Sequence, residues 1–172
     1  MKKVIVSGAN GFVGGAVVEE LLANGISVVA LVHDPKTCRF KETEQLKIYK
    51  FSLENAWDVK DILKEEQAEV FYHFAWMGSA GPSRADTALQ LQNAQWTVDC
   101  LRMAKEAGCT RFVCAGSIME KETMEAAFKQ ENKPGLGYIY GSGKLVAHTM
   151  CKSVAADIGI ELEWAMITNA YG

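Results

Sequence analysis

The chain opens on an apolar run, Val4-Ile5-Val6, which breaks at Ser7-Gly8-Ala9-Asn10-Gly11-Phe12-Val13-Gly14 and resumes at helical spacing through Val17, Val18, Leu21 and Leu22. This pattern predicts a buried strand, a glycine-rich turn and an amphipathic helix ended by Asn24-Gly25. A continuous apolar run over 26–32, closed by His33-Asp34-Pro35, predicts a second buried parallel strand and completes a βαβ unit. Alternation over 46–51 predicts a third strand. A charged helix is expected over 58–67, with Val59, Ile62 and Leu63 facing inward, and a fourth strand over 70–75 runs into a glycine-containing loop at 76–82. A long helix, about 85–107, carries apolar residues on two sides and is stopped by Gly108. The fifth strand, 111–115, ends at Gly116-Ser117. Residues 118–137 form a charged excursion, helical around 122–130 and then broken by Pro134, Gly135 and Gly137. A helix over 138–157 and a sixth strand over 160–167 complete the pattern. Strands and helices alternate throughout, which predicts an α/β fold: a doubly wound parallel sheet occupying residues 1–172, without repeat or linker.

Composition narrows the classes. A chain of 172 residues is one domain by length. Its formal charge of −3 supplies no basic field for nucleic acid. No apolar run reaches the roughly 18 residues of a membrane span, and Met1-Lys2-Lys3 leads into no cleavage site, so a cytoplasmic location is expected. Cys38, Cys100, Cys109, Cys114 and Cys151 contain no Cys-x-x-Cys pair, which argues for packing rather than disulfides or zinc. His73 reads as a packed strand residue, because no second His or Cys is placed to share a metal.

The glycine spacing has a chemical purpose. Gly8 permits a sharp turn, Gly11 lets backbone approach a pyrophosphate, and Gly14 lets the helix pack close to the strand. The new helix turns unpaired N–H groups and its positive dipole end toward the same place. A dinucleotide site is therefore expected. The end of the second strand normally separates NAD, held by an acidic residue on the ribose, from NADP, held by a cation at the 2′-phosphate. Here the acidic position falls on Val32, followed by His33 and Asp34. His33 can face a phosphate and Val32 cannot repel one, which tilts the balance toward NADP; the alternative is that His33 is a solvated turn residue.

Tyr140-Gly141-Ser142-Gly143-Lys144 places a phenol and an ammonium on one helical face. A phenol of pKa near 10 is a poor base at neutral pH. An ammonium about 5 Å away favours the phenolate by roughly 3 kcal/mol at an effective dielectric of about 20. Tyr140 can then exchange a proton with a substrate hydroxyl while a hydride moves, and Ser117 can hold the same oxygen. Such a pair occurs by chance in many helices; joined to the glycine turn it carries more weight. His148, one turn after Lys144, is either functional or an interface or surface residue. Of the four tryptophans, Trp76 stands apart because it follows the fourth strand.

Gly8-x-x-Gly11-x-x-Gly14, His73-Phe74-Ala75, Asn93, Ser117, Tyr140-x-x-x-Lys144 and Asn169-x-Tyr171-Gly172 together resemble the extended short-chain dehydrogenase/reductase family, the NAD-dependent epimerase/dehydratases that act mainly on nucleotide sugars. The resemblance covers nearly the whole chain. It implies a Rossmann-like three-layer αβα domain and a catalytic set of Ser117 aligning substrate, Tyr140 as acid/base and Lys144 lowering the phenol's pKa. It also implies a cofactor, NAD or NADP, held by Gly8, Asn10, Gly11, Phe12, Val13 and Gly14 of the turn. His33, then Ser52 and Leu53, would lie at the adenosine end, Phe74, Ala75 and Trp76 along its length, Asn93 in support, and Tyr140 and Lys144 at the nicotinamide ribose. No metal is implied. A homodimer through the helices at 85–107 and 138–157 is implied by analogy.

Departures from the family are Ser52 where many members carry Asp, Met166 where many carry Arg, and Ile118-Met119-Glu120-Lys121 in place of a usual Tyr-Gly. Members also continue into a small domain that clasps the substrate. The expectation is thus a truncated chain lacking the C-terminal substrate domain, one that binds cofactor but turns over poorly. Two functions are expected: an NAD(P)-dependent epimerase, dehydratase or reductase of a nucleotide-sugar-like alcohol, or a non-catalytic NAD(P)-binding sensor or scaffold.

Overall fold

Val4, Ile5 and Val6 have no solvent exposure, and the sheet is built outward from them. The computed structural model describes residues 2–129 and 134–170. Among these, the strands are β1 (Lys3–Ser7), β2 (Ser27–Val32), β3 (Leu46–Lys50), β4 (Val70–His73), β5 (Arg111–Ser117) and β6 (Glu161–Ile167). The helices are α1 (Phe12–Ala23), α2 (Lys60–Glu66), α3 (Thr87–Glu106), α4 (Ile118–Phe128) and α5 (Tyr138–Ile158). All strand pairs are parallel, in the order β3-β2-β1-β4-β5-β6. This is the Rossmann order, with its crevice where the direction of winding reverses, between β1 and β4.

Alternate residues of the central strands feed two cores. Val4 and Val6, with Val28, Ala30 and Val32, pack on Val18 and Leu21 of α1. Ile5, Val29, Leu31, Phe71 and Phe112 pack on Leu63 of α2, Val98 and Leu101 of α3, and Cys151 and Ala155 of α5. The Phe71 and Phe112 rings stack with centroids 5.4 Å apart. Cys100, Cys109, Cys114 and Cys151 are buried free thiols, as the spacing suggested. No described group of His, Cys, Asp and Glu could hold a metal, and no described helix is long and apolar enough to cross a membrane.

Strand β4 ends at His73, two residues short of expectation, β5 runs two residues further, to Ser117, and the starts of two helices differ. A 3₁₀ turn at Leu53–Val59 precedes a shorter α2, whose N-cap Val59 (φ −96°, ψ 0°) is not yet helical. Helix α4 begins at Ile118 rather than near 122. Ser117 caps it, accepting from the Met119 N–H at 3.2 Å, while Glu120 accepts from the Ser117 N–H at 2.7 Å. That reciprocal arrangement is a capping box, which fixes a helix start by satisfying otherwise orphaned donors. The tail motif's Tyr171 and Gly172, and residue 130 of the expected helical stretch, lie outside the described residues.

Candidate active site

The carboxyl edge of the sheet opens into a cleft of about 960 Å³ whose walls include the glycine turn at one end and Ser117, Tyr140 and Lys144 at the other. At the turn, Gly8 has φ +68°, and a Cβ there would sit 2.7 Å from the Ala75 amide nitrogen. A Cβ on Gly14 would collide with the Gly8 carbonyl oxygen. Only glycine lets β1, the turn and the chain after β4 approach this closely. Gly11 precedes α1 with extended dihedrals and no side chain caps it, so the first N–H groups of that helix carry no side-chain acceptor.

Most of the expected cofactor residues are brought together. Gly8, Gly11, Phe12, Val13, Gly14, His33, Ser52, Leu53, Phe74, Ala75 and Trp76 all line the cleft. Asn10 and Asn93 do not. The Asn10 carboxamide donates to the Thr37 carbonyl at 3.2 Å and accepts from the Arg39 N–H at 2.9 Å, tying down the segment after β2. Asn93 is buried in α3, accepting from the Met77 N–H and donating to the Met77 carbonyl, each at 2.8 Å. Each thus positions a loop at the cleft's edge. At the β2 end Val32 is buried and Asp34 accepts from the Lys36 N–H at 3.0 Å, leaving His33 as the polar side chain of 32–34 on the cleft wall.

His73 is structural, as its isolation in the sequence indicated. Its Nδ1 lies 2.9 Å from Ser7 Oγ and its Nε2 3.4 Å from Thr97 Oγ1, joining β1, β4 and α3 under the crevice. Thr97 Oγ1 donates to the Asn93 carbonyl at 2.8 Å, so it accepts from His73, whose Nδ1 accepts from Ser7. Burial, seconded by the charge of Lys144, pushes the imidazole down to about 3, so it stays neutral.

The catalytic candidates converge on the cleft. Ser117 lies beside the Tyr140 phenol and lowers its pKa. Lys144, one turn further along α5, is held by other elements. Its buried ammonium donates to the Ala115 carbonyl at 2.8 Å and lies 3.8 Å from the centre of the Trp76 ring. A buried ammonium needs an acceptor, and the carbonyl of β5 supplies one. Burial lowers the Lys144 pKa, and the thiol of Cys114 and carboxylate of Glu120 partly restore it. Burial likewise raises the Tyr140 phenol above its usual value, offset in part by Ser117 and Arg84.

Three residues that sequence reasoning passed over complete the site. Arg84, on the 3₁₀ turn Pro82–Ala85, lies with its guanidinium carbon 4.5 Å from the Tyr140 ring centre. Gln90 of α3 accepts from Trp76 Nε1 at 2.8 Å. Glu120 is 2 % exposed and accepts from Ser117, Trp164 and His148. Glu120 was findable, because Ser117-x-x-Glu120 is a capping-box pattern. Arg84 and Gln90 had no local signal.

A six-stranded parallel sheet of this order, with a glycine turn at its crevice, defines a nucleotide-binding α/β domain. The chain belongs to the NAD dependent epimerase/dehydratase family, whose sequence model matches residues 4–172. It is 26% identical over 180 residues to UDP-glucuronic acid decarboxylase 2 of Arabidopsis thaliana, covering 99% of this chain and 39% of the relative. Among solved structures it resembles the epimerase Mth375 of Methanothermobacter thermautotrophicus, with TM-score 0.80 and 21% identity over 99% of this chain and 52% of the other. It also resembles MoeE5 in complex with UDP-glucose and NAD, with TM-score 0.72 and 26% identity over 94% of this chain and 52% of the other. The chain thus spans roughly two fifths to one half of the proteins it matches.

Proposed function

We propose that this chain forms the cofactor-binding and acid/base half of an NAD(P)-dependent epimerase, dehydratase or reductase acting on a nucleotide-sugar-like alcohol. The observation that carries the reading is the convergence of Ser117, Tyr140 and Lys144 on one wall of the cleft whose other end is the glycine turn. The cleft suits a dinucleotide: where Gly8 and Gly14 stand, any side chain would displace backbone. The first amides of α1 would hold the pyrophosphate, and His33, Ser52 and Leu53 the adenosine end. When bound, the nicotinamide accepts and returns a hydride. Tyr140 exchanges the proton of the substrate hydroxyl, and Ser117 orients that oxygen. Lys144, fixed on Ala115, presents its ammonium at the cleft wall.

MoeE5 holds NAD and UDP-glucose, which supports a nicotinamide cofactor and a nucleotide-sugar substrate here. Asp34 caps the turn at Lys36 and is absent from the cleft wall, whereas His33 lines it and favours the extra phosphate of NADP. Self-association through α3 and α5 is supported by exposed Leu91 and Met150 on these two neighbouring helices. Sedimentation over a concentration series tests it; a monomer throughout rejects it.

Titration of NADH and NADPH into the chain, followed by nicotinamide fluorescence, tests the core of the proposal. Absence of binding to both rejects it. Tyr140→Phe should then remove turnover while leaving cofactor affinity within a few-fold. A non-catalytic sensor would bind cofactor and be indifferent to that substitution.

A further inference from the structure

Trp76 is the one side chain of the cleft wall that meets both Tyr140 and Lys144. Its ring lies edge-on to the Tyr140 ring, centroids 6.0 Å apart, and its face receives the Lys144 ammonium 3.8 Å from the ring centre. We propose that Gln90 of α3 is a positioning residue for this pair: through its hydrogen bond to the Trp76 indole it sets the surface against which the phenol and the ammonium rest. The proposal rests on the assignment of Tyr140 and Lys144 to the site made above.

Gln90 is 1 % exposed, yet every polar atom of its carboxamide is used. Oε1 accepts from Trp76 Nε1 at 2.8 Å, and Nε2 donates to the Gly78 carbonyl at 3.1 Å and to the Ser83 carbonyl at 2.9 Å. The partners settle which end is which, because an indole N–H can only donate and a carbonyl can only accept. The backbone adds a second tie. A Cβ on Gly143 would lie 2.8 Å from the Gln90 carbonyl oxygen and 3.0 Å from the Gln90 Cβ, so α3 touches α5 between Tyr140 and Lys144, closer than a side chain at 143 allows. Gln90 thus holds the loop after β4 by its side chain and the acid/base turn of α5 by its backbone.

The indole needs such a tether. Rotation of an aromatic ring about its last side-chain bond is only broadly confined by rotamer preference, and a half-turned ring would show the ammonium an edge in place of the electron-rich face. One directed N–H bond to a fully satisfied buried acceptor fixes the ring plane. The face toward Lys144 and the edge contact with Tyr140 are then set together.

The test compares affinity for NADH and NADPH, the Trp76 indole N–H resonance and the melting temperature. The proteins are wild type, Gln90→Met, Gln90→Glu, Trp76→Phe and the double variant Gln90→Met/Trp76→Phe. Gln90→Met should shift the N–H resonance, assigned by its loss in Trp76→Phe, and weaken cofactor binding about fivefold. Trp76→Phe should weaken it similarly, and the double variant should be no weaker than the worse single one, since both act through one contact. Gln90→Glu keeps an acceptor for the indole but gives up at least one donation to the loop carbonyls. It should lower the melting temperature as Gln90→Met does, yet bind cofactor within about twofold of wild type. Losses that multiply in the double variant, an unmoved N–H resonance in Gln90→Met, or a Gln90→Glu that binds as poorly as Gln90→Met would reduce Gln90 to packing and overturn the proposal. Should Gln90→Met fail to fold, undiminished binding by Trp76→Phe overturns it alone. A wild type that binds neither nicotinamide rejects the proposed function and this inference with it, whereas multiplying losses in a wild type that binds reject only the role of Gln90.

Discussion

His148 Nδ1 lies 2.9 Å from Glu120 Oε2, joining the middle of α5 to the first turn of α4. The imidazole also stacks flat on the Trp164 indole of β6, centroids 4.5 Å apart at 3°. Trp164 Nε1 in turn lies 3.0 Å and 3.1 Å from the two Glu120 oxygens. One buried carboxylate therefore gathers α4, α5, β5 and β6 directly behind Ser117.

Removing that carboxylate should strip several donors of their acceptor at once. Glu120→Ala is expected to lower unfolding free energy by about 3 kcal/mol in urea denaturation. Glu120→Gln, which keeps the shape and one acceptor oxygen, should cost less. Equal stability of Glu120→Ala and wild type would contradict the clamp.

Gly8→Ala meets two obstacles, a positive φ and backbone 2.7 Å from the new methyl group. The strain, about 1–3 kcal/mol, falls on the junction of the turn with the chain after β4. NADH affinity should drop at least tenfold, with a lower melting temperature; unimpaired binding would mean that the turn does not need its observed path.

Acid should unfold the protein partly through Glu66. Burial works against its ionised form, but hydrogen bonds from Lys47, Tyr49 and Lys3 prevail and bring the carboxyl down to about 2 from its ordinary 4.5. A depressed carboxylate stabilises the fold above its unfolded pKa and loses that contribution as pH falls from about 4.5 toward 2. Urea midpoints measured from pH 7 to pH 2 should fall across this window in wild type, and fall less in Glu66→Gln. Parallel curves would refute the assignment.

Lys144→Met should separate stability from function. Removing the buried ammonium lifts its desolvation cost but takes a donor from the Ala115 carbonyl, and the two effects largely offset. The melting temperature should stay within a few degrees or rise, while NADH affinity falls. A large loss of stability would instead make the Ala115 contact structural.

The sheet was legible because its code is local. Val4-Ile5-Val6 and the 26–32 run announce fully buried parallel strands, and each spaced glycine answers to a backbone approach seen at Gly8 or Gly14. The start of α4 was equally local, written in Ser117 and Glu120 and overlooked beside the stronger signals. The direction of Lys144 was not legible. Helical spacing places Tyr140 and Lys144 on one face, but a flexible side chain goes where its charge is satisfied, and the Ala115 carbonyl belongs to another element. Arg84 and Gln90 are beyond sequence reading for the same reason, since their meaning arises only when α3, the loop after β4 and α5 meet.

The neighbourhood of β1 and β4 has one more consequence. Gly8 and Ala75 are far apart along the chain yet meet at the floor of the cleft, so the seam between the two halves of the sheet runs beneath whatever settles there. A dinucleotide seated across it would act as a rivet, and by mass action the cohesion of the whole domain would rise with the concentration of its own cofactor.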